Sequence, residues 1–271
     1  MSTINVDSIS DAAGTGSPSF PNGISGNGSA MTNLTSANLT GALPAIDGSA
    51  LTGVVGSAQT VDVFTSSGTY TKPAGLVAVK VTVVGGGGGG GFLNSTAQNN
   101  GGGGGGGGGT SIRIIPAATL SASNPVTVGA GGTPNAAGGT SNFGNTSGTL
   151  LSASGGAKGG SSTTIVSSTN GNLGGLGGAG AIGDINLHGE VGGMGFCLTT
   201  NGANANVSGD GGNSTMGGGA LGVFALNTSG ANGNNAVGYG GGGAGKRSRA
   251  VATSLSGGSG FAGIVIVEEM Y

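Results

Sequence analysis

The sequence predicts an all-β chain: a small base of strands from which glycine-rich segments extend, preceded by an extended oligomerising stalk. Three observations carry this. Short runs of β-branched residues alternate with polar ones and are bounded by Gly or Pro, the pattern of strands. Helix formers at helical spacing are almost absent. Glycine makes up 69 of 271 residues and comes in blocks.

With Gly 69 and Pro 7, these two residues exceed a quarter of the chain. Without a period, such a composition signals low complexity. Disordered chains are charge-rich, however. Here charged residues are 6%, the net charge is −2 and the mean hydropathy is +0.18, so a folded chain is expected. Collagen needs Gly at every third position, and the blocks do not keep that period. No apolar stretch approaches the roughly 20 residues that span a bilayer. The start "MSTINVDSISDAAG" lacks the basic beginning and apolar core of a signal peptide. Cys197 is the only cysteine, so no intramolecular disulfide is expected, and a buried small hydrophobe is its preferred role. Seven cations in all give no general basic patch for nucleic acid.

The chain divides near residue 57. Residues 1–57 carry Leu-Thr pairs at Leu34, Leu39 and Leu51 with turn signals at Gly41, Pro44 and Gly48. A single copy of such a segment cannot bury its apolar side chains, so partner chains are expected. Residues 58–271 form the glycine-rich β domain. "QTVDVFTSSGTYTKP" alternates Val61 and Val63 and turns at Ser67-Gly68. "LVAVKVTVV", "TSIRIIP", "NPVTVG" and "AGIVIVEEMY" are further strands. Val84 runs into Gly85 and Val128 into Gly129, while Gly263 leads back into Ile264. This layout predicts segments that leave the base and return. Residues 85–91 and 101–109 become neighbouring struts joined by "FLNSTAQNN".

Ordering glycine costs more backbone entropy than ordering any other residue. Side-chain burial cannot offset it, which leaves backbone hydrogen bonding at close approach. In polyproline-type geometry, with three residues per turn, N–H and C=O point outward. A bundle of polyglycine-II helices then satisfies its own buried backbone groups. Ala179, Ala220 and Ala244 are expected on its outer rim. The alternative is a β-sandwich with glycine-rich loops.

"VFTSSGTYTKPAGLVAVKVTVVGGGGGGG" resembles the entry to the glycine-rich domain of bacteriophage tail-fibre and virion proteins. "GYGGGGAGKRS…GGSGFAGIVIVEEMY" is similar to their closing segment. The start, through "PNGI", and "NLTGALPAIDGSALTGV" resemble their N-terminal and linker segments. The resemblance covers nearly the whole chain, although no long shaft or C-terminal chaperone domain is seen. It implies a virion fibre or fibre-tip protein, made in the host cytoplasm and acting at the host surface. It also implies a homo-oligomer, a trimer by analogy. The N-terminus would join other tail proteins, and connecting loops would contact a surface glycan, lipopolysaccharide or outer-membrane protein.

Two nucleotide-binding patterns occur by composition. Gly85, Gly87 and Gly90 fit G-x-G-x-x-G, but no helix or acidic residue follows in place. Gly240, Gly245 and Lys246 fit G-x-x-x-x-G-K, but Arg247 stands where Ser or Thr should hold magnesium. Asp184, His188 and Glu190 match no standard metal spacing, and a solvated polar loop is preferred, with ion binding left open. One His and few acids offer poor material for a triad, so neither catalysis nor a cofactor is expected. Adjacent Glu268 and Glu269 should point to opposite faces of a strand. Paired-carboxylate depolymerase chemistry is the less favoured alternative, beside a purely structural virion component.

Lys246, Arg247 and Arg249 place three cations within four residues. The strand layout puts this loop and the loop at 92–100 at the same distal tip. The candidate receptor-binding residues are therefore Phe92, Leu93, Asn94, Gln98, Asn99, Lys246, Arg247 and Arg249. Arg suits carboxylate or phosphate groups.

Overall fold

The computed structural model describes residues 60–92, 100–161, 171–200, 203–226, 230–248 and 255–271. The expected stalk, residues 1–57, lies outside them. No α-helix occurs among the described residues. One 3-10 turn, Ala117–Thr119, is the sole departure from strands and irregular backbone there.

Two five-stranded antiparallel sheets form a sandwich. The first runs β1 (Val61–Phe64), β16 (Ile264–Met270), β3 (Ala78–Val84), β5 (Thr110–Pro116) and β11 (Ile185–Leu187). The second runs β10 (Gly180–Ala181), β8 (Gly148–Ala153), β7 (Ser141–Asn145), β6 (Ser123–Thr127) and β2 (Gly68–Thr71). Alternation decides which side chains enter the core. Val79, Val81 and Val83 of β3 and Val265 and Val267 of β16 are buried against Tyr70, Val126, Phe143, Leu151 and Ala153 of the facing sheet. Complete burial of a side chain the size of Phe143 or Leu151 contributes about 1.5–3 kcal/mol.

The expected turn at Ser67-Gly68 does not join paired strands. β1 lies along β16 and β2 along β6, so the chain changes sheets there. Val61 and Val63 consequently face outward, at 52% and 54% exposure. The two glutamates divide as their alternation requires. Glu268 meets Lys80 outside at 2.7 Å, while Glu269 is buried.

Beyond the sandwich, the glycine segments bond with a three-residue repeat. Gly85, Gly88 and Gly91 donate to the carbonyls of Gly109, Gly106 and Gly103. Gly86 and Gly89 donate to Gly139 and Ala136, and Gly87 and Gly90 to Phe261 and Gly258. In the other sense, Gly86 and Gly89 accept from Gly156 and Gly159, Gly87 and Gly90 from Gly132 and Asn135, and Gly88 and Gly91 from Gly243 and Lys246. Residues 85–91 thus have six neighbouring segments. Residues 101–109, antiparallel to them, also have six: 85–91, 154–160, 172–178, 189–193, 209–212 and 240–246. These two segments are surrounded on every side; so are residues 240–246, bonded to 85–91, 101–109, 209–212, 220, 234 and 258–262, which are glycine except at Ala244 and Lys246. A Cβ on Gly87 would overlap the carbonyl oxygen of Gly241, and one on Gly104 that of Asp210.

Outer segments need glycine only on their inward positions. Residues 173–178 rotate through exposed, intermediate and buried, with Leu173 and Leu176 outside. Ala220 and Ala244 are not on the rim, correcting the expectation: they are 6% and 0% exposed. The segment holding Ala244 is covered on its outer side, where Ala244 donates to Asn234 and accepts from Gly258.

At the sandwich end, Ile182 turns the chain between β10 and β11 with φ 67°. The left-handed conformation costs an L-residue about 1–2 kcal/mol, and the side chain, 55% exposed, offsets little of it. Ile182→Gly relieves that cost, offset in part by glycine's greater freedom in the unfolded chain, and is expected to raise stability by up to about 1 kcal/mol, read as a higher urea midpoint. A lower midpoint would show that the side chain is needed for folding.

Candidate functional site

The far ends of the glycine segments form the candidate site. Each segment that leaves a strand of the sandwich (85 after β3, 128 after β6, 154 after β8, 188 after β11) ends there, the second turning back at Asn135 beside Gly90 and Ser161. Two small sheets close this end: β14 (Phe224–Leu226), β13 (Ala203–Val207), β12 (Gly195–Thr200) and β9 (Gly171–Asn172), and separately β15 (Arg247–Ser248) with β4 (Asn100–Gly101). The flanks of five connections converge here: 92 and 100, 161 and 171, 200 and 203, 226 and 230, and 248 and 255.

The two regions singled out in the sequence are brought together. Arg247 pairs with Gly101 and Ser248 with Asn100. Phe92 ends the first glycine segment and is half-buried. Leu93, Asn94, Gln98, Asn99 and Arg249 lie outside the described residues.

Lys246 and Arg247 do not stand out in solvent: they are 3% and 4% exposed. Their backbone is part of the lattice. Lys246 donates to Gly91 at 3.2 Å and accepts from Gly102 at 2.8 Å, and Arg247 exchanges bonds with Ala231. Loss of water lowers the Lys246 ammonium pKa from the ordinary lysine value. These two cations therefore belong to the buried far edge of the glycine segments.

Side chains not singled out by sequence reading fasten the same edge. Asn172 Nδ2 donates to the Gly101 carbonyl at 2.6 Å, Asn206 Nδ2 to that of Ser248 at 2.7 Å, and Ser208 Oγ accepts from Val223 N at 2.7 Å. Asn172, Asn206 and Ser208 are all buried. The available signal was position: Asn172 and Ser208 stand within two residues of a glycine block.

The candidate ion ligands go to separate tasks. Asp184 accepts from Ile114 N at 3.2 Å and lies 3.9 Å from Arg113 Nε. Glu190 accepts from Asn213 Nδ2 at 2.6 Å, and His188 pairs with Ala179. Among the described residues, no three His, Cys, Asp or Glu side chains come together.

A family model described as a glycine-rich domain matches residues 60–269, from the first sandwich strand almost to the end of the last. The chain belongs to this glycine-rich domain family. The match begins where the described fold begins, so the glycine-rich domain comprises both the sandwich and the segments that project from it. No curated protein matches the chain.

Proposed function

We propose that this glycine-rich domain is the display end of a bacteriophage tail-fibre or fibre-tip protein that attaches the virion to a bacterial surface. The convergence of five connections at one end, opposite the sandwich, carries the reading. Function concentrates on loops held by a rigid scaffold. The scaffold here is a polyglycine-II-type bundle, supported by the three-residue bonding repeat and by glycine at every enclosed position of the two central segments. Residues 1–57 join the chain to other tail proteins and to further copies. The loops meet a surface glycan, lipopolysaccharide or outer-membrane protein through many weak contacts, multiplied across copies. Recognition is non-enzymatic. Burial of Lys246 and Arg247 takes those two side chains out of the contact surface.

The test replaces residues 93–99 and 249–254 by Gly-Ser in the particle and measures host adsorption. A fall of tenfold or more is expected, with an unchanged unfolding midpoint for the purified chain. Unchanged adsorption overturns the receptor reading and leaves a structural virion component. Sugar release from host envelopes overturns the non-enzymatic assignment.

A further inference from the structure

An apolar face on the side of the bundle is covered by no element among the described residues. Residues 173–178 and 189–194 run antiparallel, fixed by Gly192 N to Gly175 O and Gly189 N to Gly178 O, both 2.9 Å. The same register sets Leu173 opposite Met194 and Leu176 opposite Val191. All four point outward, at 67%, 54%, 69% and 58% exposure. No charged residue lies among them. The rule that single exposed leucines need no explanation does not cover four apolar residues set side by side by one register. Together they expose on the order of 500 Å², near the upper limit for the largest patch on a typical monomer.

The flanks of this face carry opposite charges. On one side, the segment 154–160 bonds to 172–179 through Ala157 N to Leu176 O, and presents exposed Lys158. On the other, 209–213 bonds to 189–193 through Gly193 N to Asp210 O, and this edge presents exposed Glu190 and Asp210. Following the registers across all four segments, Lys158 and Asp210 stand at nearly the same height. The face is therefore apolar at its centre, basic along one edge and acidic along the other.

We propose that this face is a two-fold interface between copies of this chain. A two-fold axis parallel to the glycine segments lays the face on itself and sets Lys158 of one copy against the Glu190–Asp210 edge of the other. A two-fold axis across the segments would instead oppose like charges. The side-chain rows repeat every three residues, about 9.3 Å in polyproline-type geometry. A two-fold along the segments keeps each residue's height, so Leu173 of one copy meets Met194 of the other and Leu176 meets Val191. Burying about 500 Å² per copy gives about 1,000 Å² in total, the lower bound of a specific interface. Such isologous contacts are the commonest way in which soluble chains pair.

The test uses the full chain, with light scattering and sedimentation across a concentration series. Dimerisation, or an even-numbered assembly, is expected. Leu176→Asp should weaken it at least tenfold, with an unchanged unfolding midpoint at concentrations where both parent and variant are monomeric. Should that variant lose its fold, Leu176→Ala and Val191→Ala are read in its place, with the same weakening expected. Lys158→Glu should weaken association and Glu190→Lys in that background should restore it. A monomer at every concentration, or an assembly of any number unaffected by the Leu176 and Val191 variants, overturns the proposal. Failure of the charge exchange to restore association overturns the orientation. None of these outcomes bears on receptor contact at the far end.

Discussion

Gly104→Ala is expected to abolish the folded domain. Its carbon would meet the Asp210 carbonyl oxygen, and the neighbouring backbone cannot give way, because it is bonded in turn to other segments. Gly87→Ala in the other central segment meets Gly241 in the same way. Single substitutions usually cost 0.5–3 kcal/mol, but this one should exceed about 4 kcal/mol, a large share of the roughly 5–15 kcal/mol that holds a domain. Gly218→Ala is the control. A carbon there has only Asn213 Oδ1 nearby, at 3.6 Å, an ordinary contact. Denaturant titration and soluble yield should show Gly218→Ala within about 1 kcal/mol of the parent, against the typical scale above, and no cooperative transition for the other two. A Gly104→Ala protein that unfolds at the parent midpoint would mean that the segments are not packed at backbone contact.

This steric requirement also explains how much was legible in the sequence. The strands at 78–84, 110–116 and 264–270 could be read directly, because one alternating face of each enters the core. The outward-and-back course of 85–91 and 101–109 followed, since each run abuts one of those strands. The unbroken glycine then reports close enclosure: at each position of the two runs a Cβ would fall on a neighbouring segment's backbone. What remained hidden depends on which segments become neighbours. Ala244 is invisible as a buried residue until the segments around 234 and 258 are known to lie over it. Lys246 and Arg247 read as a solvent-seeking loop, yet their backbone completes the far edge of the glycine lattice and draws the stems inward. The exchange of sheets between β1 and β2 was likewise not legible, because "TSSG" is an equally good turn for either arrangement. Leu173, Leu176, Val191 and Met194 carry a three-residue repeat in plain view, but their adjacency follows only from the register of two segments joined through 182–185.

Tyr70→Phe should change stability and, more tellingly, its dependence on pH. The Tyr70 hydroxyl donates to Glu269 Oε1 at 2.8 Å, bridging the two sheets, while the Tyr271 hydroxyl donates to Oε2 at 2.7 Å. Tyr70 and Glu269 are 1% and 5% exposed. Burial first, then the bond to Glu269 and the charges of Glu269 and Asp62, hold the Tyr70 pKa well above its ordinary value near 10. The folded chain therefore keeps a proton that the unfolded chain releases above about pH 10. Stability is fully present below that pH. It falls as pH rises, by up to about 1.4 kcal/mol per pH unit, until the folded hydroxyl itself ionises. Removing the hydroxyl takes away a hydrogen bond to a charged group, worth about 1.5–3 kcal/mol, at neutral pH. It also takes away this part of the alkaline decline. Urea midpoints for parent and variant between pH 7 and pH 11.5 should start apart and converge. Parallel curves would show that Tyr70 ionises in the folded chain as it does in the unfolded one, and that the buried Glu269 contact does not hold its proton.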